Sequence, residues 1–410
     1  MDLCLLTIAE MRRGLASGAF SAAELLEVHE RRIEQLNPRL NAIVERMTLR
    51  GRGEGVLGGI PVTVKDSLDV AGYATVCGMA ERVGKKASRH AVCVQRLLDA
   101  GAVIVGKTNT PEWLMDWETD NEVYGVTRNP LDETRSPGGS SGGESAAIAA
   151  GMSAGGVGSD GGGSIRVPAA MTGICGLKPT PGRVSAEGHF PPVGMPGGML
   201  GVIGPMGRTV GDVETLFEVI EGGSAGDPFS APVRVEHRPV GKVGVVGHEV
   251  TWRAAQWVSG VVEEFAVRDW ERIFEVWRFF FLRVNAHAIG KPTRHTAVYL
   301  EQEAPTMIEM LEMFAARDAI RARVLRAMEE YPVLLVANPG FGAWKCGEFP
   351  GVEAMKPLVM ANLLGLPALA VPVGLNEEGM PLSVQVVGRP WCEEQVIAVG
   401  KEIERGHRTR

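Results

Sequence analysis

Three short segments gather the residues of this chain that can do chemistry. Gly59-Ile60-Pro61-Val62-Thr63-Val64 runs into Lys65-Asp66, and Ser136-Pro137-Gly138-Gly139 leads to Ser140-Ser141-Gly142-Gly143-Glu144. Gly158-Ser159-Asp160-Gly161-Gly162-Gly163 leads to Ser164-Ile165-Arg166. A serine hydroxyl is a poor nucleophile until a base takes its proton. No histidine lies near Ser164 in sequence, the closest being His189, so Lys65 is the candidate base. A lysine can act this way only when neutral, so its ordinary pKa of about 10.4 must fall to roughly 7–8, at about 1.4 kcal/mol per unit. The apolar run before Lys65 reads as a short buried strand, and burial at its end supplies such a shift. Asp66 would oppose the shift unless it points away, which is the expectation. The glycines before Ser164 let successive N–H groups converge on one point, so Gly161, Gly162, Gly163 and Ser164 form a candidate oxyanion hole.

Other features of these segments read as structural. Asp160 and Arg166 read as a buried acid holding the loop N–H groups and an arginine pairing with it. Lys178 and the cysteines read as structural too, and the scattered histidines as surface or packing residues. Gly156 to Gly161 matches GxGxxG, but no acidic residue closes a strand about twenty residues on, as a dinucleotide site requires. Gly139 to Gly143 matches GxSxG, but Arg135-Ser136-Pro137 before it is a poor strand.

The elements that must position these residues alternate. Thr7/Glu10 and Ser21/Glu24 fit capping boxes and open two helices, the second stopped at Asn37-Pro38. Residues 91–100 read as a helix ended by Gly101, and Ala102–Val105 as a buried strand. Helix followed by strand recurs at 145–158, 212–247 and 308–337. Ala368–Val373 and Leu382–Val387 read as strands, and a helix begins at Glu393. This is an α/β pattern, with helices packed on a central sheet. The polar, Pro-rich stretch 225–240 reads as a surface crossing. Trp270, Ile273, Phe274, Trp277, Phe281 and Val284 recur at helical spacing and read as a core-facing stripe, an aromatic pocket wall being the alternative. Phe279, Phe280 and Leu282 lie off that stripe. This second apolar face could line a substrate channel, pack in a dimer or touch a membrane surface.

The 410 residues are 45% hydrophobic and 22% charged, with a net charge of −7, which suits a globular enzyme and argues against nucleic-acid binding. Six cysteines without metal spacing read as free thiols in a reducing, cytoplasmic compartment. No apolar run is long enough to span a membrane.

Taken jointly, the three segments resemble the amidase signature family: a lysine strand, a GGSSGG loop and a nucleophile loop, with Ser140 and Ser164 24 residues apart. The resemblance extends through Val167–Ala170, Gly173–Thr180, Gly204–Val210 and Asn362–Pro367, and is weakest at 250–330. It implies an amidase signature fold over 1–410 as one domain, with a large twisted mixed sheet covered by helices on both faces and a variable helical region at about 250–330. It further implies a Ser–cis-Ser–Lys triad of Ser164 as nucleophile, Ser140 after a cis peptide as relay, and Lys65 as base, with Ser141 in support. Gly161 departs from the family, which usually has a larger residue there. The middle region also looks shorter than in many members, so a more open site is expected. The activity implied is hydrolysis of small-molecule amides, with aryl amides, esters and carbamates as further substrates, without metal or cofactor; the aromatic content near 252–281 tilts the expectation toward apolar or aryl groups. A homodimer, a nucleotide-binding protein and one subunit of a glutamine-dependent amidotransferase remain as alternatives.

Overall fold

The computed structural model describes residues 2–52, 55–193, 199–231 and 239–408. Its strands are β1 (Ile43–Arg50), β2 (Pro61–Lys65), β3 (Val103–Thr108), β4 (Gly155–Asp160), β5 (Cys175–Lys178), β6 (Val202–Gly207), β7 (Val243–Val245), β8 (Val262–Glu264), β9 (Val333–Ala337), β10 (Ala368–Leu375) and β11 (Pro381–Gly388). They form one 11-stranded sheet in the order β1-β3-β2-β4-β6-β5-β10-β11-β9-β7-β8. The sheet is mixed: β2 runs parallel to both β3 and β4, whereas β4 and β6 are antiparallel, as are β10 and β11. The α/β architecture and the mixed sheet are as expected.

Alternation along the strands shows why both faces are covered. Side chains of a strand point to opposite faces in turn. In β9, Val333, Leu335 and Ala337 enter one core, while Leu334 and Val336 enter another. The first core also takes Met11, Leu25, Leu97, Leu216 and Val399 from helices Ile8–Ser17, Ala22–Leu40, Val92–Asp99, Val210–Ile220 and Glu393–Arg408. The second takes Val167, Trp277, Ile320 and Leu358 from helices Arg166–Thr172, Trp270–Arg278, Met307–Ala327 and Lys356–Leu363. Each layer buries its apolar stripe against one face of the sheet.

Both predicted capping boxes are present, at Thr7/Glu10 and Ser21/Glu24. One boundary differs. The second helix passes through Pro38 and ends at Leu40, with Asn41 as its left-handed cap. Pro38 sits in the last turn, where it removes at most one helical bond. Asn37 holds that end together: its Oδ1 accepts from the Ala42 and Ile43 N–H groups at 3.0 and 2.8 Å. Of the surface crossing expected at 225–240, residues 232–238 lie outside the described residues. No described helix is long and apolar enough to cross a membrane.

Candidate active site

Lys65 closes β2, a strand buried at every position. Its Nζ donates to Ser140 Oγ at 2.7 Å and to Ser159 Oγ at 3.0 Å. Burial lowers its pKa to about 7, against the pull of the nearby acidic groups Cys77, Asp160 and Glu144. Asp66 is turned aside as expected, paired with Lys107 at 2.9 Å and accepting from the Cys77 N–H at 3.0 Å. Glu144 does not put a full charge beside the lysine. Burial pushes its pKa up to about 7, although the Thr63 and Thr108 hydroxyls donate to it.

The Gly139–Ser140 peptide is cis. Ser141 joins the two serine loops, its N–H donating to Ser164 O at 3.1 Å and its Oγ to Ser159 O at 3.3 Å. It begins the helix Gly142–Ala149. The GxSxG match therefore follows no strand, and the GxGxxG match lies along β4 itself, not in a phosphate-binding turn.

The loop after β4 is pinned from both sides. Asp160 Oδ1 accepts from the Gly163 N–H at 2.8 Å and Oδ2 from the Ile165 N–H at 3.1 Å. Arg166 Nε donates to Asp160 Oδ2 at 3.0 Å, and both side chains are wholly buried. Burial by itself would raise the Asp160 pKa, but the Arg166 charge and hydrogen bonds, with Asn362, hold it well below the usual carboxylate range. Arg166 in turn donates to Leu358 O, Gln385 Oε1 and Asn362 Oδ1 at 2.8, 2.7 and 2.5 Å. The pair thus holds the loop, as the sequence suggested. One expectation narrows: the Gly163 N–H is engaged by Asp160, so the four consecutive donors reduce to those of Gly161, Gly162 and Ser164.

Two indoles fix the other side. Trp277 Nε1 donates to Gly161 O at 3.2 Å and Trp117 Nε1 to Gly162 O at 3.0 Å. In a trans peptide C=O and N–H point oppositely, so holding Gly161 O directs the Gly162 N–H away from Trp277. A Cβ at Gly162 would lie 2.6 Å from Trp277 Cζ2, and one at Gly161 2.7 Å from Phe281 Cε2. Trp277 is fully buried and tied by its N–H, so it cannot give way. Gly162→Ala is expected to destabilise the fold by about 1–3 kcal/mol, read by urea denaturation; an unchanged midpoint would show that the ring moves freely.

Ser140, Ser159, Asp160, Gly161 and Ser164 line a cavity of about 140 Å³, together with Trp113, Met115, Val193 and Phe281. From the short middle region Phe281, Asn285 and Ile289 stand in its wall, and the cavity is partly open to solvent. The aromatic segment is both core and wall. Helix Trp270–Arg278 passes into a π-helical turn at Phe279–Val284. Phe279, Phe280 and Leu282 are buried, with Phe280 against Phe314 at 4.8 Å, so no second apolar face is left for a dimer or a membrane. His189 is a packing residue as expected, buried with Nδ1 donating to Pro191 O at 2.8 Å, and it also lines the cavity. Lys178 is buried outside the cavity wall and donates to Pro179 O at 2.9 Å.

Sequence reasoning missed Ser159, Trp117, Asn362 and Gln385. Ser159 and Asn362 lie inside segments already singled out. The two others carry no local signal.

The family model described as Amidase matches residues 24–268 and 286–397, leaving out the aromatic turn. A Mycobacterium tuberculosis protein named "Putative amidase AmiB2" is 32% identical over 98% of this chain and 96% of its own length. A glutamyl-tRNA(Gln) amidotransferase subunit from Thermotoga maritima superposes with a TM-score of 0.86 at 27% identity, covering 99% of this chain and 95% of that one. A 6-aminohexanoate cyclic dimer hydrolase complexed with substrate gives 0.85 at 25% identity, covering 99% and 98%.

Proposed function

The chain belongs to the amidase family, and from that premise we propose that it hydrolyses the C–N bond of small carboxamides through an acyl-enzyme on Ser164. The observation that carries the reading is the buried Lys65 Nζ at 2.7 Å from Ser140 Oγ, on a cavity whose wall also holds Ser164. Lys65, neutral above about pH 7, takes a proton through Ser140 as Ser164 Oγ attacks the carbonyl carbon. The N–H groups of Gly161, Gly162 and Ser164 receive the oxyanion. The relay returns the proton to the nitrogen as the C–N bond breaks and the amine leaves. Water then attacks the ester, delivering its proton along the same path, and the carboxylic acid departs. Six free cysteines, four of them buried, support a reducing cytoplasmic setting.

The amidotransferase subunit is the second reading, favoured by the likeness to the Thermotoga maritima subunit. The cavity counts against it. Among the described residues, Asp160 is the only charged side chain on its wall, and it is engaged by Arg166. The neighbouring residues 194–198, outside the described residues, are Gly-Met-Pro-Gly-Gly. A free amino acid such as glutamine would bring a carboxylate and an ammonium without counter-charges.

The test is a fluorophosphonate probe read by intact mass and peptide mapping, alongside an amide, ester and carbamate screen. One adduct on Ser164, absent from Lys65→Ala, is expected. Folded protein without an adduct, or with one elsewhere, would overturn the assignment.

A further inference from the structure

The cavity beside Ser164 has a size and a wall that together define what it can hold. An apolar cavity of about 150 Å³ admits one benzene molecule, and this one measures about 140 Å³. Trp113, Leu114 and Met115 form one part of its wall, and Phe281 and Ile289 another.

Phe281 is the wall residue that packs against the Ser164 loop at Gly161. Its ring stacks on Trp277 at 4.9 Å and 19°, and Trp277 is anchored to Gly161 O. The ring fills the space where any side chain at position 161 would stand, since a Cβ there would lie 2.7 Å from Phe281 Cε2. Gly161 and Phe281 are therefore a matched pair: the glycine admits the ring directly against the loop that carries Ser164. The π-helical turn Phe279–Val284 sends Phe279, Phe280 and Leu282 into the core and leaves Phe281 at the cavity. Single π turns of this kind often mark functional positions. The family match is interrupted across this turn, which carries Phe281.

We propose that Phe281, matched to Gly161, makes the site selective for uncharged carboxamides bearing one flat group the size of a six-membered ring, which stacks on the Phe281 face. The proposal rests on the hydrolase reading for turnover, but not for binding. Aromatic stacking prefers offset or edge contacts beyond simple area burial, and a wall without a free charge disfavours ionic groups.

Binding to Ser164→Ala, measured by calorimetry, reads the pocket whether or not the chain catalyses. The probes are acetamide, benzamide, 2-naphthamide and glutamine, with kcat/KM for the same set measured on the wild type. Benzamide is expected to bind most tightly and to turn over best, with glutamine undetected. Adding Phe281→Ala should weaken benzamide binding about 10-fold and tighten 2-naphthamide, and Phe281→Ala with Ser164 intact should raise KM for benzamide more than it lowers kcat. Phe281→Tyr keeps the ring and should keep the preference for benzamide. Tightest binding of 2-naphthamide or glutamine by the Ser164→Ala protein would overturn the proposal without help from any Phe281 variant. So would an unchanged rank order in a folded Phe281→Ala protein. Benzamide binding without cleavage, with Ser164 unlabelled by the fluorophosphonate, would uphold this pocket and reject the hydrolase.

Discussion

Lys65→Ala is expected to lower kcat for carboxamides by about 10³–10⁴-fold, and Lys65→Arg is expected to do so equally. The two substitutions separate charge from proton transfer. Arginine keeps the cation but does not deprotonate in proteins, so it cannot take the Ser140 proton. If Lys65 served only as a fixed positive charge, arginine would restore part of the rate, and near wild-type turnover by Lys65→Arg would refute its role as base. The wild-type pH profile has the same cause. Burial brings Lys65 to about 7, and only the deprotonated amine accepts a proton. kcat/KM therefore rises about tenfold per unit below that value and levels off above it, and this limb disappears in Lys65→Ala. Among the described residues no buried carboxylate restores the lysine to its ordinary range: Asp66 faces Lys107, Asp160 faces Arg166, and burial raises Glu144 to about 7.

What could be read in the sequence divides along a physical line. The strand ending at Lys65 was legible because an unbroken apolar run closed by a lysine has few readings, and the structure buries all five of its residues. The serine loops were legible because their glycines and hydroxyls sit at fixed local spacing. Contacts between distant segments were not. Arg166 meets Asn362 and Gln385 across 196 and 219 residues, and nothing local to either amide announces the meeting. The aromatic segment shows a different limit. Helical periodicity separates faces at 3.6 residues per turn, but a π turn inserts a residue and rotates the side chains beyond it. Phe281 belonged to the apolar stripe in sequence, yet it reaches the cavity while the off-stripe Phe280 is buried. His189 was passed over because a lone histidine is ordinarily a packing residue. Its place in the wall comes from the backbone at 189–191, where Phe190 N–H donates to Ser67 O at 2.7 Å.

Arg166→Met is expected to produce the largest loss of stability, about 3–5 kcal/mol, measured by urea denaturation at pH 7. The reason is the carboxylate left behind. Asp160 is wholly buried, and without the guanidinium it keeps only Asn362 Nδ2 at 2.9 Å and the loop N–H groups. In the wild type the Asp160 pKa is depressed on folding. Its contribution is therefore present above the unfolded carboxyl value of about 3.9 and fades only as pH falls toward the folded one. In the variant, burial acts without the charge that overrides it, and the folded pKa moves above the unfolded one. The sign then reverses: the folded state binds the extra proton, and stability falls as pH rises from about 4 toward 7. The deficit relative to wild type should accordingly shrink on acidification to pH 5. Asp160→Asn combined with Arg166→Met removes both charges and should recover part of the loss, because a neutral buried amide leaves a smaller penalty than an unpaired ion. A deficit under about 1 kcal/mol, or one that grows on acidification, would show that the pair does not hold the loop. Since that loop also presents Ser164, turnover should fall in Arg166→Met even where the protein remains folded, and should return in the double variant only so far as the Gly163 and Ile165 N–H groups find the asparagine oxygen.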